Sequence, residues 1–195
     1  MPESNTTKKE FACALKQLLR EKPFSAIHVG DICILCQKNR KSFYYHFKDK
    51  YDLSCWIFQS ELIATLRPHG ENYEDGWDIF ADICRYFYDN RTFYRKIMKV
   101  DGQNSFRDYF GETIGDYLRI TLTDIPMKDA DPDFCATFCA NALLASVEQW
   151  LNSSTPLPPE KYVAKVRECV DTLGIIRRTP QNHSHTDRLP PEKSE

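Results

Sequence analysis

The chain has 195 residues, of which 42% are hydrophobic, so it is long enough to bury a substantial core. Its net charge of −2 argues against nucleic-acid binding by the chain as a whole. The charge is divided unevenly, because residues 1–50 contain ten basic and five acidic residues, a net charge of +5, which leaves −7 for residues 51–195. This division favours phosphate binding by the N-terminal part alone, and the alternative is an ordinary solvated surface.

The sequence also disfavours membrane proteins and enzymes. No run approaches the roughly 20 apolar residues of a membrane helix, and the N-terminus lacks the apolar run of a signal peptide. We therefore expect a cytoplasmic protein whose eight cysteines are reduced thiols. With seven glycines and no phosphate-binding glycine loop, nucleophile elbow or H-E-x-x-H motif, we expect neither enzyme activity nor a cofactor.

The N-terminal part predicts three short helices. Residues 1–7 are expected to be flexible, with Thr6 or Thr7 capping the first helix and Pro23 ending it. The apolar stripe of this helix consists of Phe11, Leu15, Leu18 and Leu19. The second helix has apolar side chains at intervals of three or four residues, at Val29, Ile32, Cys33 and Cys36.

The third helical pattern combines a buried face with an exposed cationic face. Asn39 is its candidate N-cap, and Phe43 and Phe47 are expected to anchor it from the inside. Its other faces carry side chains that can donate hydrogen bonds or meet phosphates: Arg40, Lys41, Ser42, Tyr44, Tyr45 and His46. A DNA major groove accepts a helix of this kind, so these residues are the predicted DNA contacts.

The stretch SFYYHFKDKYDL, residues 42–53, resembles the recognition-helix signature of TetR/AcrR-type transcriptional regulators. The span of residues 8–56 is similar to the DNA-binding domain of that family. The resemblance implies a helix-turn-helix domain over residues 8–48, here called the head, that binds a double-stranded DNA operator. Two positions depart from the family pattern: Cys36 stands where Ala is usual, and Lys38 where a buried Val is usual.

A longer helix should follow the head, capped by Asp49 and with Asp52 near the positive end of its dipole. Lys48 and Lys50, at its start, are expected to meet DNA phosphates with the help of the helix N-terminus. In TetR-type proteins the corresponding helix joins the DNA-binding head to the rest of the chain.

Residues 49–176, here called the body, predict a C-terminal helical bundle. Helical patterns occupy residues 77–90, 91–100, 104–122, 133–152 and 161–173. Gly174 is expected to close the last helix, and the polar, Pro-rich residues 177–195 are expected to be disordered. No strand pattern persists, so the predicted fold class is all-α and TetR-like, with about nine helices.

Two patterns in the body suggest an effector and a dimer. The aromatic side chains that are candidates to line an effector pocket, or simply to form the core, are Trp77, Phe80, Tyr86, Phe87, Phe106, Tyr109 and Phe110. Two apolar seams with helical spacing consist of Ala140, Leu143, Val147 and Trp150, and of Val163, Val166, Val170 and Leu173. Such seams favour a homodimer through a four-helix bundle, and the alternative is that they belong to the monomer core.

Besides a small-molecule effector, two other signals that could control the regulator are left open. The segment NRTFYRKIMKVDGQNSFRDYF resembles the DhaS-like branch of the family, the dihydroxyacetone kinase regulators, and this resemblance implies that a partner protein could act on the body. Oxidation of Cys135 or Cys139 is the other, although we interpret these thiols, like Cys33 and Cys36, as packing groups. No metal site is expected, because the Cys33-x-x-Cys36 pair has no second pair of ligands at zinc-module spacing. The predicted function is that of a transcriptional repressor acting as a homodimer on a near-palindromic operator.

Overall fold

A computed structural model of the chain describes residues 2–66, 76–99, 105–123 and 131–178. Within these ranges the chain is all helical, which confirms the predicted fold class, and no strand is present. The nine α-helices are α1 (Pro2–Glu21), α2 (Val29–Leu35), α3 (Arg40–His46), α4 (Lys50–Leu66), α5 (Gly76–Asp89), α6 (Arg91–Ile97), α7 (Phe106–Thr123), α8 (Pro132–Asn152) and α9 (Pro159–Arg178). A 3-10 turn, Phe24–Ala26, precedes α2. None of the helices described combines the length and the apolar character needed to cross a membrane.

Two helix ends differ from the prediction. α1 begins at Pro2, so residues 2–7 are helical rather than flexible and neither Thr6 nor Thr7 is a cap; proline is well tolerated as the first residue of a helix. α9 continues through Gly174 to Arg178, because one glycine inside a helix costs only about 1 kcal/mol. Residues 177 and 178, which were expected to belong to the disordered tail, are the last two residues of α9. The rest of that tail, residues 179–195, lies outside the described part of the chain.

The core of the head is aromatic and fixes α3 against α1. Phe11 of α1 and Phe43 of α3 are fully buried, and their ring centroids lie 5.2 Å apart in an edge-to-face arrangement. Phe47, just after α3, is also buried, with its centroid 6.3 Å from that of Phe11. The two phenylalanines therefore anchor the third helix from the inside, and its remaining faces point away from the core.

The core of the body is built around Phe58 of α4. Its ring stacks on Phe87 of α5 at 5.6 Å and meets Phe106 and Phe110 of α7 edge-on, each at 5.4 Å. Tyr94 of α6 lies edge-on to the same ring at 6.2 Å. α4 therefore runs from the end of the head into the centre of the body.

α7 and α8 form a close pair because α7 carries small residues where it faces α8. A Cβ atom on Gly111 would lie 3.4 Å from Leu144 Cδ2, and one on Gly115 would lie 3.9 Å from Ala140 Cβ. Arg107 Nε donates to Glu148 Oε1 at 2.8 Å across the pair.

Candidate nucleic-acid interface

α3 begins with a side-chain cap. The Asn39 side chain accepts a hydrogen bond from the backbone N–H of Ser42 at 2.8 Å, as predicted, and satisfies a donor that the helix leaves unpaired. The helix then presents two neighbouring columns of exposed side chains, with Arg40 and Tyr44 in one and Lys41 and Tyr45 in the other.

The two tyrosines are unusually exposed for aromatic residues, since Tyr44 is 57% and Tyr45 is 82% accessible. Ser42 is half-buried at the edge of the same surface. Phenolic hydroxyls donate and accept hydrogen bonds, and beside cationic side chains they suit base edges and phosphate oxygens alike. We call Arg40, Lys41, Tyr44 and Tyr45 the α3 outer face.

Arg40 lies across the backbone of α2, at a position that sequence reasoning missed. A Cβ atom on Gly30 would come within 2.7 Å of Arg40 Nη2, so the guanidinium occupies the space that a side chain would fill. A glycine inside a helical pattern is the signal that such a close approach leaves in the sequence.

The turn between α2 and α3 is closed by two hydrogen bonds at a left-handed residue. Gln37 has a φ of 54°, its N–H donates to the Ile34 carbonyl at 3.2 Å, and the N–H of Lys38 donates to the Cys33 carbonyl at 2.9 Å. Glycine is usual at such a position because L side chains rarely adopt it, and this feature was also missed. Lys38, instead of being buried, forms an ion pair with Glu10 of α1 at 3.0 Å.

His46 is a half-buried member of the same helix. Burial, together with the nearby Lys8 ammonium, lowers the pKa of the His46 imidazole below its ordinary value of 6.5. The ring therefore stays neutral at neutral pH and has one donor and one acceptor nitrogen. It lies 4.9 Å from the Tyr45 ring, centroid to centroid, at the edge of the α3 outer face.

Lys48 and Lys50, which the sequence treats alike, have different surroundings. The Lys48 side chain is exposed, and its backbone N–H donates to Asp52 Oδ2 at 2.9 Å. The Lys50 ammonium donates to the carbonyls of Phe24 and Ile27, each at 2.7 Å. The Lys50 ammonium therefore contacts the backbone before α2, and the phosphate contact expected of this residue stays a prediction.

Of the two interpretations left open for the aromatic side chains of the body, the structure favours the core, because most of them are packed there. Tyr86, Phe87, Phe106 and Phe110 are at most 6% exposed. The half-buried members are Trp77, Phe80 and Tyr109. The hydroxyls of the interior are satisfied internally: Tyr86 OH lies 2.6 Å from Tyr94 OH and donates to Glu61 Oε2 at 2.9 Å. None of the seven candidates lines the cavity described next.

A cavity of about 540 Å³ opens between α7 and α8. Its size lies within the range of small-molecule sites, about 300–1,000 Å³. Its lining is mostly polar or charged, with a few small or aliphatic residues: Arg107, Asp108, Gly111, Glu112, Gly115, Asp116, Arg119, Thr137, Ala140, Asn141 and Leu144. This cavity differs in chemistry and in place from the aromatic pocket that the sequence suggested.

The predicted dimer seams are divided between the core and the surface. Their buried members, which the monomer core already covers, are Ala140, Val147, Trp150 and Val163. Leu143 and Val166 are half-buried, whereas Val170 is 48% and Leu173 is 61% exposed. Sequence reasoning missed Phe134 and Phe138 of α8, which are 68% and 65% exposed. The spacing of apolar residues cannot tell which neighbour a seam will meet. The assignment of Ala140, Val147, Trp150 and Val163 to the dimer interface is therefore corrected.

The cysteines of the second helix are packing groups, as interpreted, whereas in α8 Cys135 is half-buried and Cys139 is exposed. Cys33 is buried and Cys36 half-buried, and burial raises the pKa of both thiols. Burial and the neighbouring Cys135 raise the pKa of Cys139, which disfavours the reactive thiolate. Within the part of the chain that the structure describes, no three His, Cys, Asp or Glu side chains are grouped so that they could hold a metal ion.

Known proteins are similar to this chain in both sequence and fold. Residues 75–172, half of the chain, match the TetR-type family model described as "Transcriptional regulator C-terminal region". The HTH-type dhaKLM operon transcriptional activator DhaS of Lactococcus lactis subsp. lactis (strain IL1403) is 30% identical over 111 residues, which are 56% of this chain and 57% of that protein. The match thus spans little more than half the length of this relative.

Solved structures extend the likeness to most of the chain. The dihydroxyacetone kinase operon activator DhaS has a TM-score of 0.62 and 24% identity, covering 87% of this chain and 97% of its own. A TetR regulator from Streptococcus agalactiae 2603V has a TM-score of 0.67 and 19% identity, with coverages of 87% and 96%. NalD, the secondary repressor of the MexAB-OprM multidrug efflux pump in Pseudomonas aeruginosa, has a TM-score of 0.63 and 14% identity, also with coverages of 87% and 96%. These structures share the all-helical fold, and together with the family match over the body they lead to one conclusion: the chain belongs to the TetR family of transcriptional regulators.

Proposed function

We propose that this chain is a cytoplasmic, sequence-specific repressor that binds a near-palindromic double-stranded operator as a homodimer. The observation that carries the proposal is the α3 outer face, two columns of exposed cationic and phenolic side chains on a helix anchored by buried phenylalanines. A rigid support matters because base reading requires side chains to be held in place before DNA arrives.

The proposed contacts divide into readers and anchors. Tyr44, Tyr45 and the neutral His46 are the base readers, since each can both donate and accept a hydrogen bond. The anchors, which meet phosphates or the edges of the groove, are Arg40, Lys41, Ser42 and Lys48. Lys50 at the start of α4 completes the anchors, and its ammonium also contacts the carbonyls of Phe24 and Ile27.

The base-reading role is tested with a duplex that the wild-type protein selects from a random pool and a scrambled duplex of equal composition. Tyr45→Ala should lower the ratio of selected to scrambled affinity about tenfold, on the order of 1.4 kcal/mol, and should leave scrambled binding unchanged. The matched control is Tyr117→Ala, which removes another exposed tyrosine but from α7 of the body. Equal affinity losses on both duplexes would contradict the reading role of Tyr45.

The homodimer proposal is supported by a four-residue apolar patch on α8 and α9. The Phe134 and Phe138 rings stack on each other, with centroids 6.4 Å apart. Every side chain described from residue 167 to residue 173 is exposed, including Val170 and Leu173. This part of α9 has no face that is buried within its own chain, which suits burial against a second copy of the protein.

The two apolar pairs lie away from the connection between their helices, Phe134 and Phe138 near the start of α8 and Val170 and Leu173 towards the end of α9. Tyr162 OH of α9 donates to Ser146 Oγ of α8 at 2.8 Å. Phe138 and Val170 are each eight residues from this bond in the sequence, about 12 Å along a helix. Because residues 153–158 form a short connection, the chain reverses between α8 and α9, and we infer that the two pairs face the same side of the body. Across a two-fold axis they would build a four-helix interface and place the heads on half-sites about 34–36 Å apart.

Sedimentation equilibrium at micromolar concentration tests the dimer. The wild-type protein should have the mass of a dimer, and Phe138→Glu should have the mass of a monomer because it places a charge in the apolar patch. Thr92→Glu on the exposed side of α6 is the control and should stay dimeric. A monomeric wild-type protein, or a dimeric Phe138→Glu, would contradict this assignment.

The input to the switch, in this proposal, is a small polar effector in the cavity between α7 and α8. The walls of this cavity, with Arg107 and Arg119 among several carboxylates, favour a hydrogen-bonding compound over an aromatic one. An effector must bind one arrangement of the heads better than the other in order to release DNA. A partner protein that docks on the body is the alternative. An operator-release assay with polar metabolites, against one with cell protein fractions, separates the two.

Whether the protein represses or activates transcription is a separate part of the proposal. The regulators that this chain is similar to include both an activator and a repressor. A reporter gene behind the selected operator tests it: repression predicts higher expression when the protein is absent, and lower expression in that case would make it an activator.

A further inference from the structure

Gly30, the second residue of α2, leaves a space that is filled by the side chain of Arg40, the first residue of α3. Outside the backbone of α2, the three heavy atoms nearest to a Cβ placed on Gly30 all belong to the Arg40 guanidinium. Nη2 would lie at 2.7 Å, and Cζ and Nε would each lie at 3.5 Å. A real Cβ atom essentially never comes within 3.0 Å of such an atom, so the guanidinium can lie here only because residue 30 has no side chain.

The Arg40 guanidinium has its donors available on the surface that we assign to DNA. Arg40 is exposed, and among the residues that the structure describes its guanidinium forms no hydrogen bond or ion pair. Tyr44, a proposed base reader, is one helical turn further along the same column of the α3 outer face. The guanidinium is therefore held against α2 beside a residue that is expected to enter the groove.

A guanidinium in a fixed position suits a guanine. Its planar fork of N–H donors pairs with the O6 and N7 atoms of guanine in the major groove, which is the commonest base-specific contact of proteins with DNA. Lys41, the other cation of the α3 outer face, carries a point charge on a flexible stem and lacks this shape. Base reading also requires the donors to be in place before DNA arrives, and the space over Gly30 provides that place.

We propose that Gly30 is a positioning residue that sets DNA specificity through Arg40: the bare backbone of α2 holds the guanidinium where it reads one guanine in each half-site of the operator. This inference rests on the proposed function as a DNA-binding regulator. It adds base reading to the anchoring role of Arg40, and it does not require Gly30 itself to touch DNA.

The link between the two residues is tested by a double-mutant cycle on the selected and scrambled duplexes. Gly30→Ala should lower the ratio of selected to scrambled affinity about fivefold, because its methyl group displaces the guanidinium. In an Arg40→Ala background the same substitution should change the ratio by less than about 1.5-fold. A Lys41→Ala background is the matched control and should retain the fivefold effect. A Gly30→Ala substitution without effect in wild type, or with its full effect in the absence of Arg40, would overturn the inference.

Gly30→Ala should leave the fold intact, so that a lost preference is not a folding defect. Alanine is favoured over glycine in a helix, and the atoms that must move are the far end of a flexible side chain. The variant should therefore unfold at a urea concentration no lower than that of wild type. A lower midpoint would mean that the fold itself requires the glycine and would overturn its role in specificity.

The guanine contact is tested with Arg40→Lys and with a modified base. Arg40→Lys keeps the charge but loses the planar fork, so it should weaken the selected duplex about tenfold and leave scrambled binding near that of wild type. Replacing the guanines of the selected duplex one at a time by 7-deazaguanine removes the N7 acceptor. One such position in each half-site should weaken binding by wild type but not by Arg40→Ala. Equal losses on both duplexes for Arg40→Lys, or a scan without such a position, would assign Arg40 to phosphates alone and overturn the reading role.

A nuclear Overhauser measurement without DNA separates this inference from the proposed function. The α protons of Gly30 should show contacts with the guanidinium protons of Arg40 in the wild-type protein, and their absence would overturn the positioning role. A wild-type protein that shows these contacts but does not distinguish the selected from the scrambled duplex would overturn the proposed function instead.

Discussion

The head and the body use aromatic residues in opposite ways. In α3, Phe43 is buried while its neighbours Tyr44 and Tyr45 are exposed to water. In the body, Tyr86 and Tyr94 are buried among phenylalanines. The difference lies in the partners of the hydroxyl groups, because the interior of the body provides hydrogen bonds that the small core of the head does not.

Those partners form a chain that leads back to the head. Tyr94 OH contacts Tyr86 OH, which donates to Glu61 of α4, and Glu61 accepts from Lys16 of α1 at 2.6 Å. Burial raises the pKa of both tyrosines far above the usual range, so they act as neutral donors. A segment rich in Tyr and Phe is therefore not evidence of a ligand pocket; where its hydroxyls find partners inside, it closes the interior.

The largest expected effect is in the core of the body. Phe58→Ala should lower the free energy of unfolding by about 3–5 kcal/mol, because it removes a fully packed ring and leaves a cavity. Tyr45→Ala, at an 82% exposed site, should change it by no more than about 0.5 kcal/mol. Urea unfolding measures both, and similar losses for the two variants would break the distinction between an inward and an outward aromatic surface.

A smaller effect isolates the hydroxyl groups. Tyr86→Phe keeps the ring but removes the link between Tyr94 and Glu61, and we expect a loss of about 1–3 kcal/mol because buried polar groups lose a partner. Tyr45→Phe is the matched control, since its hydroxyl lies at an exposed site. If both variants unfold at the same urea concentration as wild type, the internal hydrogen bonds do not explain where the tyrosines lie.

The smallest expected effect concerns His46, whose half-buried ring is neither fully packed like that of Phe58 nor exposed like that of Tyr45. Its lowered pKa means that the unfolded chain, with a histidine pKa near 6.5, binds the proton more readily than the folded one. Its contribution to stability is therefore present above pH 6.5 and is lost as pH falls from 6.5 through the lowered pKa. Urea unfolding at pH 7.5 and 5.5 should show a smaller pH-dependent loss for His46→Gln than for wild type, and an equal or larger loss would contradict the burial of this ring.

Structural features that depend on residues close together in the sequence were predicted correctly, whereas features that depend on contacts between distant residues were not. The cap at Asn39 and the alternation of Phe43 with Tyr44 follow from neighbours within one helical turn. The environment of Lys50 is set by carbonyls 23–26 residues earlier in the chain, which no local pattern encodes. Likewise, the spacing of Val147 predicts an apolar stripe but does not tell whether the stripe meets its own chain or a second copy.

Selection from a random duplex pool tests the central claim most directly, that the outward face of α3 reads DNA sequence. Wild-type protein should enrich one near-palindromic motif with half-site centres about one helical turn apart, 10–10.5 base pairs. Tyr45→Ala, in parallel, should enrich a degenerate version of that motif. If wild-type protein enriches no motif, or if Tyr45→Ala enriches the same motif as sharply, the claim is contradicted.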